Sequence, residues 1–143
     1  MSNKLYMYVS SWKEHGGQPG IGFYTLDEEN GHIEFVKMIN EEDSVNCSYV
    51  DRTDGIIYFC NEVVHIPNVN CNSGSIIGCR ILKQNGELLP VFRQPTYCPN
   101  PSFLSLDKTG RYMLVAHHSV ASGVARDVYK RQGLVSQALW HRR

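Results

Sequence analysis

The sequence predicts an all-β chain of repeated antiparallel sheets, and three observations carry that reading. The 143 residues repeat themselves at a fixed offset: Gly22 is matched by Gly78 and Asp51 by Asp107, each 56 residues on. Each repeat holds an Asn-Gly pair, Asn30-Gly31 and Asn85-Gly86, between short apolar runs. Asn-Gly is the strongest short hairpin signal, because both central residues of the favoured two-residue turn need positive φ. No window keeps apolar residues at helical spacing over three turns. A period of about 50 residues filled with strand signals alone points to the blades of a β-propeller.

The elements follow in order. Leu5 to Trp12 is a strand-length apolar stretch stopped by Lys13-Glu14-His15, and His15 enters the Gly-rich loop Gly16-Gly17-Gln18-Pro19-Gly20. Gly22 to Glu34 reads as strand, turn and strand around Asn30-Gly31, and Gly78 to Leu88 does the same around Asn85-Gly86. Tyr49-Val50 leads through Asp51-Arg52-Thr53 into the apolar run Ile56 to Phe59, echoed by Ser105-Leu106, Asp107-Lys108-Thr109 and Tyr112 to Leu114. A β-sandwich also has strands separated by turns, but the fixed period decides for the propeller. About two blades are present, and residues 4 to about 120 are expected to form them.

Composition narrows the partners. Fourteen Lys+Arg balance 14 Asp+Glu, so no net field draws the chain to nucleic acid or an anionic membrane, and no basic stripe offers a nucleic-acid face. No segment approaches the roughly 20 apolar residues of a membrane span, and no signal-peptide run follows the N-terminus. The expected address is cytoplasmic. Cys47, Cys60, Cys71, Cys79 and Cys98 are odd in number and lack a Cys-x-x-Cys pair, so they read as structural thiols with no metal site among them. Phosphate loops and nucleophile elbows are missing too. Asn46-Cys47-Ser48 fits a glycosylation acceptor formally, with nothing else to suggest secretion.

Three segments resemble one family. Gly20 to Asp27 with Asn30-Gly31 resembles the opening Gly-Ile…Asp…Gly hairpin of the 6-phosphogluconolactonase-like lactonases, and Ile57 to Glu62 is similar to their Leu-Tyr…Asn-Glu strand end. Pro101 to Asp107 with Gly110 to Ala116 resembles their strand–turn–strand running into Ala-Asn-Tyr. The resemblance covers residues 4 to about 120. It implies a seven-bladed propeller, hydrolysis of a sugar lactone in the oxidative pentose phosphate pathway and no obligatory organic cofactor. Two places depart from the pattern. Ser102-Phe103 stands where the family has Cys-His, and His117-His118 where it has Asn-Tyr. If the family's histidine moves a proton, His117 or His118 is left to stand in for it.

Lactone hydrolysis needs a base to take a proton from the attacking water and donors for the oxyanion. The candidate catalytic residues are Glu62, His117 and His118. Glu62 follows the apolar run Ile56 to Cys60, so it can project from a buried strand end. His117 and His118 are adjacent and point to opposite faces on a strand, so at most one faces a shared cleft. The repeat offset of 55–56 brings Glu62 and His117 to equivalent corners of neighbouring blades, where both can face one cleft. The expected partner is a small-molecule sugar lactone, with no nucleic acid and no membrane. The alternative is a non-catalytic propeller that binds a partner or ligand through its channel face.

The pattern stops after Ser122-Gly123. Asp127-Val128-Tyr129-Lys130-Arg131-Gln132 matches the in-frame translation of a transposase adaptor used in sequencing libraries. Residues 1–126 are therefore read as the N-terminal part of a lactonase-type propeller and 127–143 as a non-native tail. Seven blades of about 50 residues would need about 350, which makes the chain a fragment, itself not expected to be active.

Overall fold

The computed structural model describes residues 4–13 and 18–118, and the backbone of 140–141. His15 and most of the segment 127–143 lie outside the described residues. Every regular element described is a strand: β1 Lys4–Ser11, β2 Gly20–Asp27, β3 Ile33–Ile39, β4 Val45–Asp51, β5 Ile56–Asn61, β6 Ser75–Ile81, β7 Leu88–Pro95, β8 Pro101–Leu106, β9 Tyr112–His117 and β10 Trp140–His141. They form sheets in the orders β1-β2-β3, β4-β5-β6-β7 and β10-β9-β8. The chain divides into two compact units, residues 1–45 and 46–143.

The sequence repeat and the sheets are out of phase. Starts of β2 and β6, and of β3 and β7, lie 55 residues apart; those of β4 and β8, and of β5 and β9, lie 56 apart. The repeat therefore runs β2-β3-β4-β5, taking the outer two strands of one sheet and the first two of the next. Among the described residues the two repeats consequently spread over three sheets, of which β4–β7 has four strands. Even the irregularities recur: β3 bulges opposite Phe23/Tyr24 and β7 opposite Gly78/Cys79. A bulge adds an unpaired residue and sharpens the local twist.

In the first unit β1 pairs with β2, placing Tyr8 opposite Phe23. The two rings stack at 5.5 Å with 12° between planes, and Ile21 and Phe23 are buried. In the second unit, alternate residues of β5 and β6 (Ile56, Tyr58, Cys60 and Ile76) meet Leu104, Met113 and Val115 from β8 and β9 in one core cluster. The opposite face of β5–β6 is buried too, through Ile57, Phe59, Ile77 and Cys79. Burial on both faces is why β5 reads as an unbroken apolar run rather than an alternating one. At the edge of that sheet, β7 carries Pro90 and Pro95, where a missing N–H leaves no ladder bond unmade.

The hairpin turns differ from the two-residue form expected. The Asp27 N–H donates to the His32 carbonyl at 2.9 Å and the Gly31 N–H to the Asp27 carbonyl at 2.9 Å. Leu82, Gly86 and Glu87 repeat that pattern in the second hairpin. Only the glycines take positive φ, 71° at Gly31 and 72° at Gly86. Asn30 and Asn85 act through their side chains instead, each Oδ1 accepting the N–H of the second residue on. That Asx geometry caps a four-residue loop and removes the need for a left-handed Asn.

Candidate functional site

At one end of the second unit, β5 and β9 finish while β6 and β8 begin, and short backbone bonds lace the connections together. The Asn100 N–H donates to the Val63 carbonyl at 3.0 Å, and the His118 N–H to the Asn100 carbonyl at 3.2 Å. Asn100 sits at φ 53°, a left-handed conformation that Asn tolerates better than most residues. These bonds bring together the residues just past the ends of β5 and β9, Glu62 and His118, which occupy the same place in successive repeats.

Glu62 is buried there, its side chain only 5% exposed, whereas that of His118 is 52% exposed. Glu62 Oε1 lies 3.0 Å from His118 Nδ1, and Oε2 accepts a hydrogen bond from Asn46 Nδ2. An ionised carboxylate only accepts, so His118 Nδ1 carries the proton and the other ring nitrogen, Nε2, is the one left for chemistry. A buried carboxylate is tolerable because both oxygens have donors. Asn46 comes from β4 at the edge of the same sheet. Its Nδ2 is engaged within the site, which sets aside the glycosylation motif.

His117 turns away from this pair. Its Nδ1 donates to the Pro99 carbonyl at 2.9 Å, which leaves Nε2 as a buried acceptor without a partner among the described residues. Burial pushes its pKa down, and the bond to Pro99 offsets part of that. Asn46 Oδ1 is likewise buried and unpartnered among the described residues. Of the three candidates, then, Glu62 and His118 are in contact, and His117 is a structural neighbour on the opposite face. Asn46 escaped the sequence reading, because its closeness to Glu62 depends on how β4 pairs with β5, not on sequence distance. On the far face of β5, Asn61 Nδ2 donates to Ser75 Oγ at 3.3 Å, and Arg93 Nη1 reaches the same oxygen at 3.5 Å.

Among the described residues no three His, Cys, Asp or Glu side chains group to hold a metal ion, and no helix is long and apolar enough to cross a membrane. The candidate site is a buried carboxylate in contact with a solvent-facing imidazole, set at the end of a repeated antiparallel sheet.

That architecture has a family. Residues 6–139 match the family profile described as Lactonase, 7-bladed beta-propeller, and the chain belongs to this family. Among solved structures it is similar to a candidate 6-phosphogluconolactonase from Bacteroides fragilis (18% identity, TM-score 0.64), covering 81% of this chain and 30% of that one. It is also similar to a periplasmic gluconolactonase from Pseudomonas aeruginosa (20% identity, TM-score 0.62), covering 83% and 32%. A candidate 6-phosphogluconolactonase from Bacteroides uniformis aligns at 15% identity and TM-score 0.61, over 81% and 31%. The chain thus spans about a third of the length of these structures. No curated protein matches it.

Proposed function

We propose that this chain is part of a hydrolase that opens sugar lactones, with His118 as the general base and Glu62 as the group that orients it. The observation that carries the reading is the 3.0 Å contact between Glu62 Oε1 and His118 Nδ1, which pairs a buried carboxylate with an exposed ring. Nε2 of His118 takes a proton from water as the oxygen attacks the lactone carbonyl. The positive charge that forms on the ring is stabilised by Glu62, whose second oxygen is held by Asn46. Collapse of the tetrahedral intermediate breaks the ring C–O bond, and Nε2 returns its proton to the leaving alkoxide. The chemistry needs no metal or organic cofactor. The reading also requires donors for the oxyanion and, for a phosphorylated substrate, a cation near the phosphate. A 6-phosphogluconolactone substrate, a cytoplasmic address and a place in the pentose phosphate pathway rest on the family resemblance and, for the address, on five cysteines without a Cys-x-x-Cys pair.

The test is kcat/KM of the full-length parent on a sugar lactone, with spontaneous opening subtracted. His118→Ala is expected to lose about 10²–10⁴-fold, the usual worth of a general base. Glu62→Gln should lose less, with kcat falling more than KM rises, and His117→Ala should stay within a few-fold if it remains folded. If His118→Ala and Glu62→Gln also stay within a few-fold, the pair is structural and the chemistry lies elsewhere in the ring.

A further inference from the structure

We infer that Cys47 and Cys60 form a redox pair, closing a reversible disulfide between β4 and β5 when the chain meets an oxidant such as glutathione disulfide. Four observations converge on this pair. β4 and β5 are neighbours in one sheet, joined by the short turn 52–55, so they run antiparallel. One repeat later, the equivalents of the two cysteines are Phe103 and Ala116, which are directly opposed in the β8–β9 ladder; the repeat therefore places Cys47 opposite Cys60. Directly opposed residues on antiparallel strands have Cα atoms about 4.5–5.5 Å apart, inside the span of about 4.4–6.8 Å that a disulfide bridges. The side chains also point the same way. Cys47 packs against the core cluster that contains Cys60, close enough for its thiol to help raise the Cys60 pKa, and Cys47 Sγ itself lies 3.9 Å from the Ser48 carbonyl.

The other cysteines lie elsewhere in the chain. Cys71 is exposed and lies in the loop 62–74, Cys79 is buried on β6, and Cys98 is half-buried between β7 and β8. Cys60 is wholly buried, while Cys47 is half-buried, which sets the order of events. The Cys47 thiolate attacks one sulfur of glutathione disulfide; the S–S bond breaks, and one glutathione leaves with the Cys47 proton. Cys60 then attacks the Cys47 sulfur, the Sγ–Sγ bond forms, and the second glutathione leaves with the Cys60 proton. Two thiols are oxidised and one glutathione disulfide is reduced to two thiols. Burial, with Cys47 and Glu62 beside it, pushes the Cys60 thiol well above its ordinary pKa, so the second step is slow. Reduction is slow as well, because the better leaving group, Cys47, departs only if the attack falls on the buried sulfur. Transient cytosolic disulfides are commonly of this sensing kind. Neither thiol takes part in lactone hydrolysis, so this inference stands independently of that reading.

The folded chain is incubated with glutathione disulfide, quenched with N-ethylmaleimide in denaturant, cut with trypsin and read by mass spectrometry. Cleavage after Lys37, Arg52 and Arg80 separates the two cysteines. The expected product joins peptides 38–52 and 53–80, lacks two hydrogens, has Cys71 and Cys79 alkylated, and falls apart with dithiothreitol. In Cys60→Ala the resolving thiol is gone, and glutathione is expected to accumulate on Cys47. Cys47 joined to Cys71 or Cys98, stable glutathione on wild-type Cys47 with Cys60 alkylated, or no oxidation of either residue would each overturn the pairing. The mapping uses the wild-type chain, so it decides the matter even if the variant does not fold.

Discussion

His117 and His118 share a backbone and an identity yet live in opposite environments. His118, just past the end of β9, meets the buried Glu62 carboxylate, while His117, the last residue of β9, meets the Pro99 carbonyl. Because burial favours neutral His117, its folded-state pKa lies below that of the unfolded chain, about 6.5. The unfolded chain therefore binds the extra proton first as pH falls. The stability that neutral His117 provides is present above about pH 6.5 and is lost on acidification towards the folded pKa. The urea midpoint of the chain should drop more between about pH 7.5 and pH 5 than that of His117→Gln; equal drops would mean that His117 is not held neutral by the fold. Asp107 shows the opposite case on the surface. The Thr109 hydroxyl, with the backbone N–H groups of Tyr112, Thr109 and Arg111, holds its carboxyl down to about 2. At this scale the sequence was half legible. A carboxylate behind five apolar residues announces a buried strand end, as Glu62 proved. Which histidine it meets depends on one residue of register, and its Asn46 partner on a strand pairing, and neither leaves a local mark.

The hairpins show how an element can be found correctly by a signal that works differently from expectation. Asn30-Gly31 and Asn85-Gly86 do mark the turns, but the turn is a four-residue loop in which only glycine is left-handed. Asn contributes an acceptor rather than an unusual backbone. A methyl group built on Gly31 meets nothing within 4 Å, so Gly31→Ala isolates the backbone cost of φ 71°. It should lower unfolding free energy in urea by about 1–2 kcal/mol, while a change within error would mean that the turn relaxes to another type. Asn30→Ala removes the Asx bond instead and should cost about 0.5–1.5 kcal/mol. The strands themselves were readable because apolar runs of this length bounded by Gly, Asp and Asn admit little else. The bulges in β3 and β7 were not, since a single extra residue is invisible until its partner strand is known.

At the scale of the molecule, the offset of 55–56 marks every second-repeat strand from β6 to β9, and the propeller architecture followed from it. The division into sheets did not, because a repeat carries no sign of where a sheet begins. On the proposal that 127–143 is foreign to the fold, deleting everything after Ser122 should leave the strand signal in circular dichroism unchanged apart from β10. That two-residue strand pairs Trp140 with Met113 and His141 with Tyr112. A clear loss of strand signal beyond it would make the tail structural.

The connections obey two different rules. The segments that carry the chain from one sheet to the next, 40–44 and 96–100, have the same length, whereas 12–19 and 62–74, which join strands within a sheet, differ by five residues. Between the two repeats, length is kept in one class of loop and varies in the other. The variable loop 62–74 begins at Glu62 itself. If Glu62 acts as proposed, lengthening or trimming that loop changes what surrounds it without any sheet changing its register, and a length-randomised library over 63–72 in the full-length parent, assayed on lactones of different ring size, tests this.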